Sequence, residues 1–95
     1  MALRFLWDET KAVSNQQKHG VSFEEAQTVF YDPLAETNFD ILHSADEDRY
    51  ITIGYSLVGV LLVVVHTDTD GAIRIISARQ ATKGEERRYE QGSSD

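Results

Sequence analysis

The sequence contains no cysteine, which excludes disulfides, thiolate metal sites and cysteine nucleophiles. Gly54, Gly59 and Gly71 stand alone, so there is no glycine loop to cradle a phosphate. No G-x-S-x-G occurs, and a serine hydrolase would lack its nucleophile elbow. The three histidines, His19, His43 and His66, form no i,i+3 or i,i+4 pair, so a zinc site has no support and no metal or cofactor is expected. Long apolar runs are also missing. The longest, residues 60–65, falls far short of a membrane span, and residues 1–7 cannot supply the apolar core of a signal peptide. The expected location is therefore the cytoplasm. Cations are scarce as well: 9 Lys and Arg face 16 Asp and Glu, a net charge of -7. Such a balance argues against simple nucleic-acid binding, which needs cations for phosphates.

What is present is ordinary globular composition, 41% hydrophobic and 26% charged over 95 residues. One domain, residues 1–92, with a frayed 93–95 tail, is the expected organisation. Charge is unevenly spread. Residues 20–70 carry ten acidic side chains against the single Arg49, whereas residues 71–91 carry Arg74, Arg79, Lys83, Arg87 and Arg88 against three glutamates. The segment 74–89 is therefore the place to look for anion chemistry.

Local signals define the elements. Residues 4–7 read as a short strand, and Asp8 stands at an N-cap position before a polar helix to about residue 18, closed by His19-Gly20. Ser22 and Glu25 have capping-box spacing, and Phe23, Ala26, Val29 and Phe30 recur at helical period until Asp32-Pro33. The period then changes. Residues 34–39 suggest a strand, 40–48 an acidic loop, and 50–57 an alternating strand with Ile51, Ile53 and Tyr55 on one face. Residues 60–65 suit a central strand covered on both sides, and Asp70-Gly71 is a hairpin signal returning into 72–78. Thr82 and Glu85 form a second capping-box pattern before a last helix that Gly92 would stop. The order predicts an α+β fold, an antiparallel meander with two N-terminal helices and one C-terminal helix on one face.

Candidate chemistry centres on arginine. A helix N-terminus at Thr82 beside Arg74 and Arg79 favours an anion, and arginine's planar fork suits phosphate. Strict alternation would turn Arg74 and Arg79 to opposite faces unless the strand ends or bulges between them. Tyr89 could stack on a base or move a proton. The competing reading pairs these arginines with Glu85, Glu86 and the acidic loop as plain surface. His66 on the central strand reads as a buried structural histidine or a catalytic one. Lys18-His19 reads as a helix-dipole complement or a binding pair.

Beyond these local readings, the chain resembles the BrnT toxin family. The resemblance rests on Trp7-Asp8-Glu9-Thr10-Lys11, Asn15, Lys18-His19-Gly20-Val21-Ser22-Phe23-Glu24-Glu25-Ala26, Asp32-Pro33, Glu47-Asp48-Arg49-Tyr50-Ile51-Thr52-Ile53-Gly54, Val63-Val64-Val65-His66, Arg74-Ile75-Ile76-Ser77-Ala78-Arg79-Gln80-Ala81-Thr82, Glu86 and Tyr89. It implies a RelE-like fold and an endoribonuclease toxin that inhibits translation. It also implies a DNA-binding BrnA-like antitoxin as partner, contact with operator DNA only through that antitoxin, and autoregulation of the operon by the complex.

The expected reaction is metal-independent, with the RNA 2′-hydroxyl attacking the adjacent phosphate. Arg74 and Arg79 are the candidates for holding the phosphate, and Tyr89 with His66 or His19 for moving protons. Lys18, His19, Lys83, Arg87 and Arg88 are the candidates for binding the RNA backbone. RelE-like ribonucleases are usually basic and this chain is acidic. The alternative is therefore a catalytically weak homologue acting as an antitoxin-binding module.

Overall fold

The computed structural model describes residues 2–92, so the tail expected at 93–95 lies outside the described residues. Five strands form one sheet in the order β1-β5-β4-β3-β2: β1 Phe5–Leu6, β2 Glu36–Phe39, β3 Tyr50–Tyr55, β4 Leu61–Thr69 and β5 Ala72–Gln80. The helices are α1 Glu9–His19, α2 Phe23–Gln27, which runs into a 3₁₀ turn at Thr28–Tyr31, and α3 Lys83–Gln91. The α+β class is as expected, but the sheet is mixed rather than wholly antiparallel. β2 to β5 form the meander, whereas β1 joins β5 in parallel through Phe5↔Ile73 and Leu6↔Arg74.

The caps explain where the helices start and stop. Asp8 Oδ1 accepts from the N–H groups of Thr10 and Lys11 at 2.8 and 3.2 Å, and Gly20 closes α1 at φ 71°. Ser22 Oγ caps α2 through Glu25 N, but the box is only half made, because the Glu25 carboxylate accepts from Ser56 Oγ at 2.9 Å instead. At Thr82 both halves are present. The β4–β5 turn takes Asp70 to φ 50° and Gly71 to φ 79°, the left-handed pair that a two-residue hairpin of matching twist requires.

The two faces of the sheet differ. Leu62, Val64, Ile75 and Ala78 pack against Val21, Phe23, Ala26 and Val29, so α1 and α2 cover one face. Gly54 lets this layer approach, since a Cβ there would lie 2.9 Å from that of Ala35. The opposite face carries Ile51, Ile53, Val63 and Val65, and α3 borders it through Glu85, Arg88 and Tyr89. All three helices on one face was therefore incorrect. Two-sided burial of β4 explains its unbroken apolar run.

Because β1 pairs with only two residues of β5, the outer edge of β5 near Ala78 needs other partners. Buried Asn15 on α1 supplies them. Its amide donates to Ala78 O at 2.9 Å and Val21 O at 3.0 Å, and its Oδ1 accepts from Ala78 N at 3.1 Å.

Candidate active site

The strand register decides which arginines share a surface. Between β4 and β5 it steps from Val65↔Ser77 to His66↔Ile75, leaving Ile76 without a partner. This bulge reverses the alternation, so Arg74 and Arg79 both belong to the face of Val63 and Val65. They stay apart along it, roughly 15 Å at ordinary strand rise. Arg74 Nη2 donates to both Glu47 carboxylate oxygens at 2.8 Å, so that end of the face is tied to the acidic loop.

Arg79 is built in more firmly. Its Nη1 and Nη2 donate to the two Glu85 oxygens at 2.8 and 2.9 Å, and Glu85 also accepts from Thr82 N at 2.9 Å. One carboxylate thus completes the α3 cap and orients the guanidinium. The Arg79 hydrogen bond, outweighing burial, holds the Glu85 carboxyl down at about 2, and the same bond raises Arg79 further above its ordinary value. A carboxylate whose folded pKa is depressed stabilises the fold above its unfolded value near 4.5, and that stability is lost as pH falls toward 2. With the Arg79 side chain 41% exposed, screening limits the pair to about 1 kcal/mol. Glu85→Gln keeps an acceptor for the cap, so its stability deficit against the parent is expected in full at pH 7 and should shrink to a minor fraction near pH 2.5. Urea denaturation at the two pH values checks this.

Two cavities adjoin on this face and share Ile51 and Val63. One, about 390 Å³, lies against α3 with Glu85, Arg88 and Tyr89 in its wall. The other, about 460 Å³, is lined by His19, Asp40, His43, Ser77 and Arg79 among others. The Arg79–Glu85 pair therefore stands where the cavities meet. His43 caps the second cavity from a 3₁₀ turn, Ile41–His43. Its Nδ1 lies 2.9 Å from Asp40 Oδ2, with Asp40 buried and the imidazole largely exposed.

The remaining sequence candidates divide. His19 reaches the Arg79 cavity from the end of α1, with exposed Lys18 beside it. Lys83, Arg87 and Arg88 are exposed on α3, and Arg88 borders the first cavity. Tyr89 donates its phenol to Asp32 Oδ2 at 2.9 Å. Burial, then this hydrogen bond and the Asp32 charge, keep the phenol protonated well above the ordinary tyrosine range. Burial opposes the Asp32 charge, but the N–H groups of Tyr55 and Leu34, together with Tyr89, more than compensate and lower its pKa. His66 is not brought to the arginines. It is buried on the helical face, with Nε2 2.7 Å from Thr52 Oγ1 and its ring between Phe30 and Tyr50. Burial lowers its pKa, with Asp68 opposing weakly.

Asp32, Asp40, His43 and Glu85 organise this surface, yet none was expected to belong to the site. The Asp40-x-x-His43 spacing was the available signal for the second pair, hidden in a loop rich in acids.

Residues 7–85 match the family described as the ribonuclease toxin, BrnT, of type II toxin-antitoxin systems. The chain belongs to the BrnT toxin family. The crystal structure of the Brucella abortus ribonuclease toxin, BrnT, is similar at a TM-score of 0.68 and 25% identity, covering 86% of this chain and 100% of that one. That likeness describes the fold more closely than the broader RelE-like label. No curated protein matches the sequence. As the family's description states, its members are ribonuclease toxins of type II systems, whose toxins are paired with antitoxins. No described helix of this BrnT chain is long and apolar enough to cross a membrane.

Proposed function

We propose that this BrnT chain is a metal-independent endoribonuclease that inhibits translation and is neutralised by a BrnA-like antitoxin, the complex of the two repressing its own operon. The observation that carries the reading is Arg79, an oriented guanidinium at the junction of two adjoining cavities floored by Ile51, Ile53, Val63 and Val65. In this mechanism the 2′-hydroxyl of the substrate attacks the neighbouring phosphate. The protein positions the strand and stabilises charge on the phosphoryl oxygens without a nucleophile of its own. Arg79 is the phosphate-holding residue. Of arginine's five donors, Glu85 engages two and Gln80 O a third, so a phosphate can bind the remaining two or displace the carboxylate. The exposed cations Lys18, Lys83, Arg87 and Arg88 are the residues that would contact the RNA backbone in this reading, Arg88 from the wall of the first cavity. Arg74, held by Glu47, anchors the acidic loop, while Tyr89 and His66 hold the walls of the fold.

Expression of the intact chain is expected to arrest growth and fragment cellular RNA, with relief on co-expression of the antitoxin. In vitro, cleavage should persist in EDTA, leave a 2′,3′-cyclic phosphate and stop when the cleaved step is 2′-deoxy. A second reading has one specific observation behind it: Glu85 already neutralises Arg79 in a chain of net charge -7. A catalytically weak chain serving antitoxin binding and operon control would follow, and harmless expression with stable antitoxin capture would select it.

A further inference from the structure

We infer that His43 and His19 are the proton-transfer pair of the reaction at Arg79, with Asp40 as the positioning residue for His43. This rests on the ribonuclease reading and names the groups that would perform it. The cavity of about 460 Å³ has Arg79 on β5, His19 at the end of α1 and His43 on the loop after β2 among its lining. Three separate elements thus bring two imidazoles and one guanidinium to a single concavity. A smaller cavity of about 140 Å³ also joins His43 to an arginine, Arg49, but it holds neither His19 nor Arg79.

The Asp40–His43 geometry argues for a catalytic arrangement rather than a chance surface pair. Asp40 is 7% exposed and its backbone N–H is tied to Arg49 O at 2.8 Å, so the carboxylate is fixed. It receives His43 Nδ1 at 2.9 Å, while the imidazole side chain is 67% exposed. In the neutral ring a carboxylate on Nδ1 keeps the proton there and makes Nε2 the accepting nitrogen, the tautomer a general base requires. Ser44 Oγ bonds to Asp40 O and accepts from Arg49 N at 2.9 Å, bracing the same turn. By contrast, the Tyr89 phenol is occupied by Asp32 and His66 lies beneath the other face.

The step balances with these groups alone. His43 Nε2 takes the proton of the 2′-hydroxyl as the 2′-oxygen forms its bond to phosphorus. The P–O5′ bond breaks, and the departing O5′ takes a proton from protonated His19. The products are a 2′,3′-cyclic phosphate and a 5′-hydroxyl, and solvent returns both histidines to their starting states. The charged groups facing His43 are Asp40 on its own turn, Asp46, Glu47 and Arg49 on the following loop, Arg79 on β5 and His19 on α1.

The test is the pH–rate profile of cleavage of a defined RNA oligonucleotide and of ribosome-bound messenger by parent, His43→Ala, His19→Ala and Asp40→Asn. Circular dichroism and antitoxin binding control for folding. His43→Ala is expected to slow cleavage by about 10²-fold or more and to remove the acidic limb, since the base must be deprotonated. His19→Ala should slow cleavage and remove the alkaline limb. Asp40→Asn should retain the acidic limb at a shifted pH with a smaller loss of rate, which a purely structural role would not produce. A folded His43→Ala protein that cleaves at the parental rate, or slowly with both limbs intact, overturns the assignment while leaving the ribonuclease reading in place. A parent inactive on both substrates overturns that reading and the assignment together.

Discussion

Arg79→Ala is expected to lower RNA cleavage by about 10²- to 10³-fold, the usual cost of removing one preorganised donor to a developing oxyanion. Two effects separate in this variant. The phosphate loses its bidentate partner, and Glu85 loses the guanidinium that holds its carboxyl at about 2. The second costs only about 1 kcal/mol, because the Arg79 side chain is partly solvated and Glu85 still caps Thr82. The protein should therefore remain folded at 25 °C while activity falls steeply. Arg79→Lys keeps the charge but not the fork, and should recover only part of the rate. Single-turnover cleavage with circular dichroism on the same samples separates the outcomes. A folded alanine variant with parental cleavage would remove Arg79 from the chemistry.

The largest stability effect is expected at Asn15. Substitution by alanine strips one buried N–H and two carbonyls of their partners, at Ala78 and Val21, and leaves a small void beneath α1. Each unsatisfied buried group costs about 1–3 kcal/mol, so a total near 3 kcal/mol is expected after partial relaxation. For a domain of this size that amounts to much of the stability and a fall in Tm of roughly 15 °C. Asn15→Asp should be worse, because a carboxylate would then face two carbonyl oxygens in place of the amide donor. The aspartate deficit should shrink in acid as the carboxyl protonates, whereas the alanine deficit should not. Thermal denaturation of both variants at neutral and acidic pH decides whether hydrogen bonding at Ala78 O, rather than side-chain volume, is what matters.

The elements written in local code were legible in the sequence. Asp8 and Gly20 bound α1, Thr82 and Glu85 start α3, and Asp70-Gly71 turns the hairpin, each through contacts within a few residues. Two-sided burial of β4 was visible as an unbroken apolar run. What escaped depends on distant partners. Two residues, Phe5 and Leu6, are too few to signal strand direction, and only docking against Ile73 and Arg74 makes β1 parallel. The side taken by α3 is set by Tyr89 reaching Asp32 and Tyr55 reaching Glu90 across the sheet edge. A bulge leaves no periodic mark, so the common face of Arg74 and Arg79 could be posed only as a condition. The segment 74–89 was singled out from charge and capping, whereas Asp40 and His43 enter the Arg79 cavity from a loop whose acids read as solvated surface.

The reach from Asn15 to Ala78 spans 63 positions of chain. During synthesis, which proceeds from the N-terminus, α1 is made long before β5 exists to receive it. The short, polar α1 has little to hold it meanwhile, whereas β4 and β5 can pair as soon as their two-residue turn forms. Assembly is therefore expected to run backwards along the chain, hairpin first and α1 last. A nascent chain should stay chemically silent until that late docking carries His19 to Arg79. For a protein that would damage the RNA of its own cell, this order confines activity to molecules whose sheet is already built.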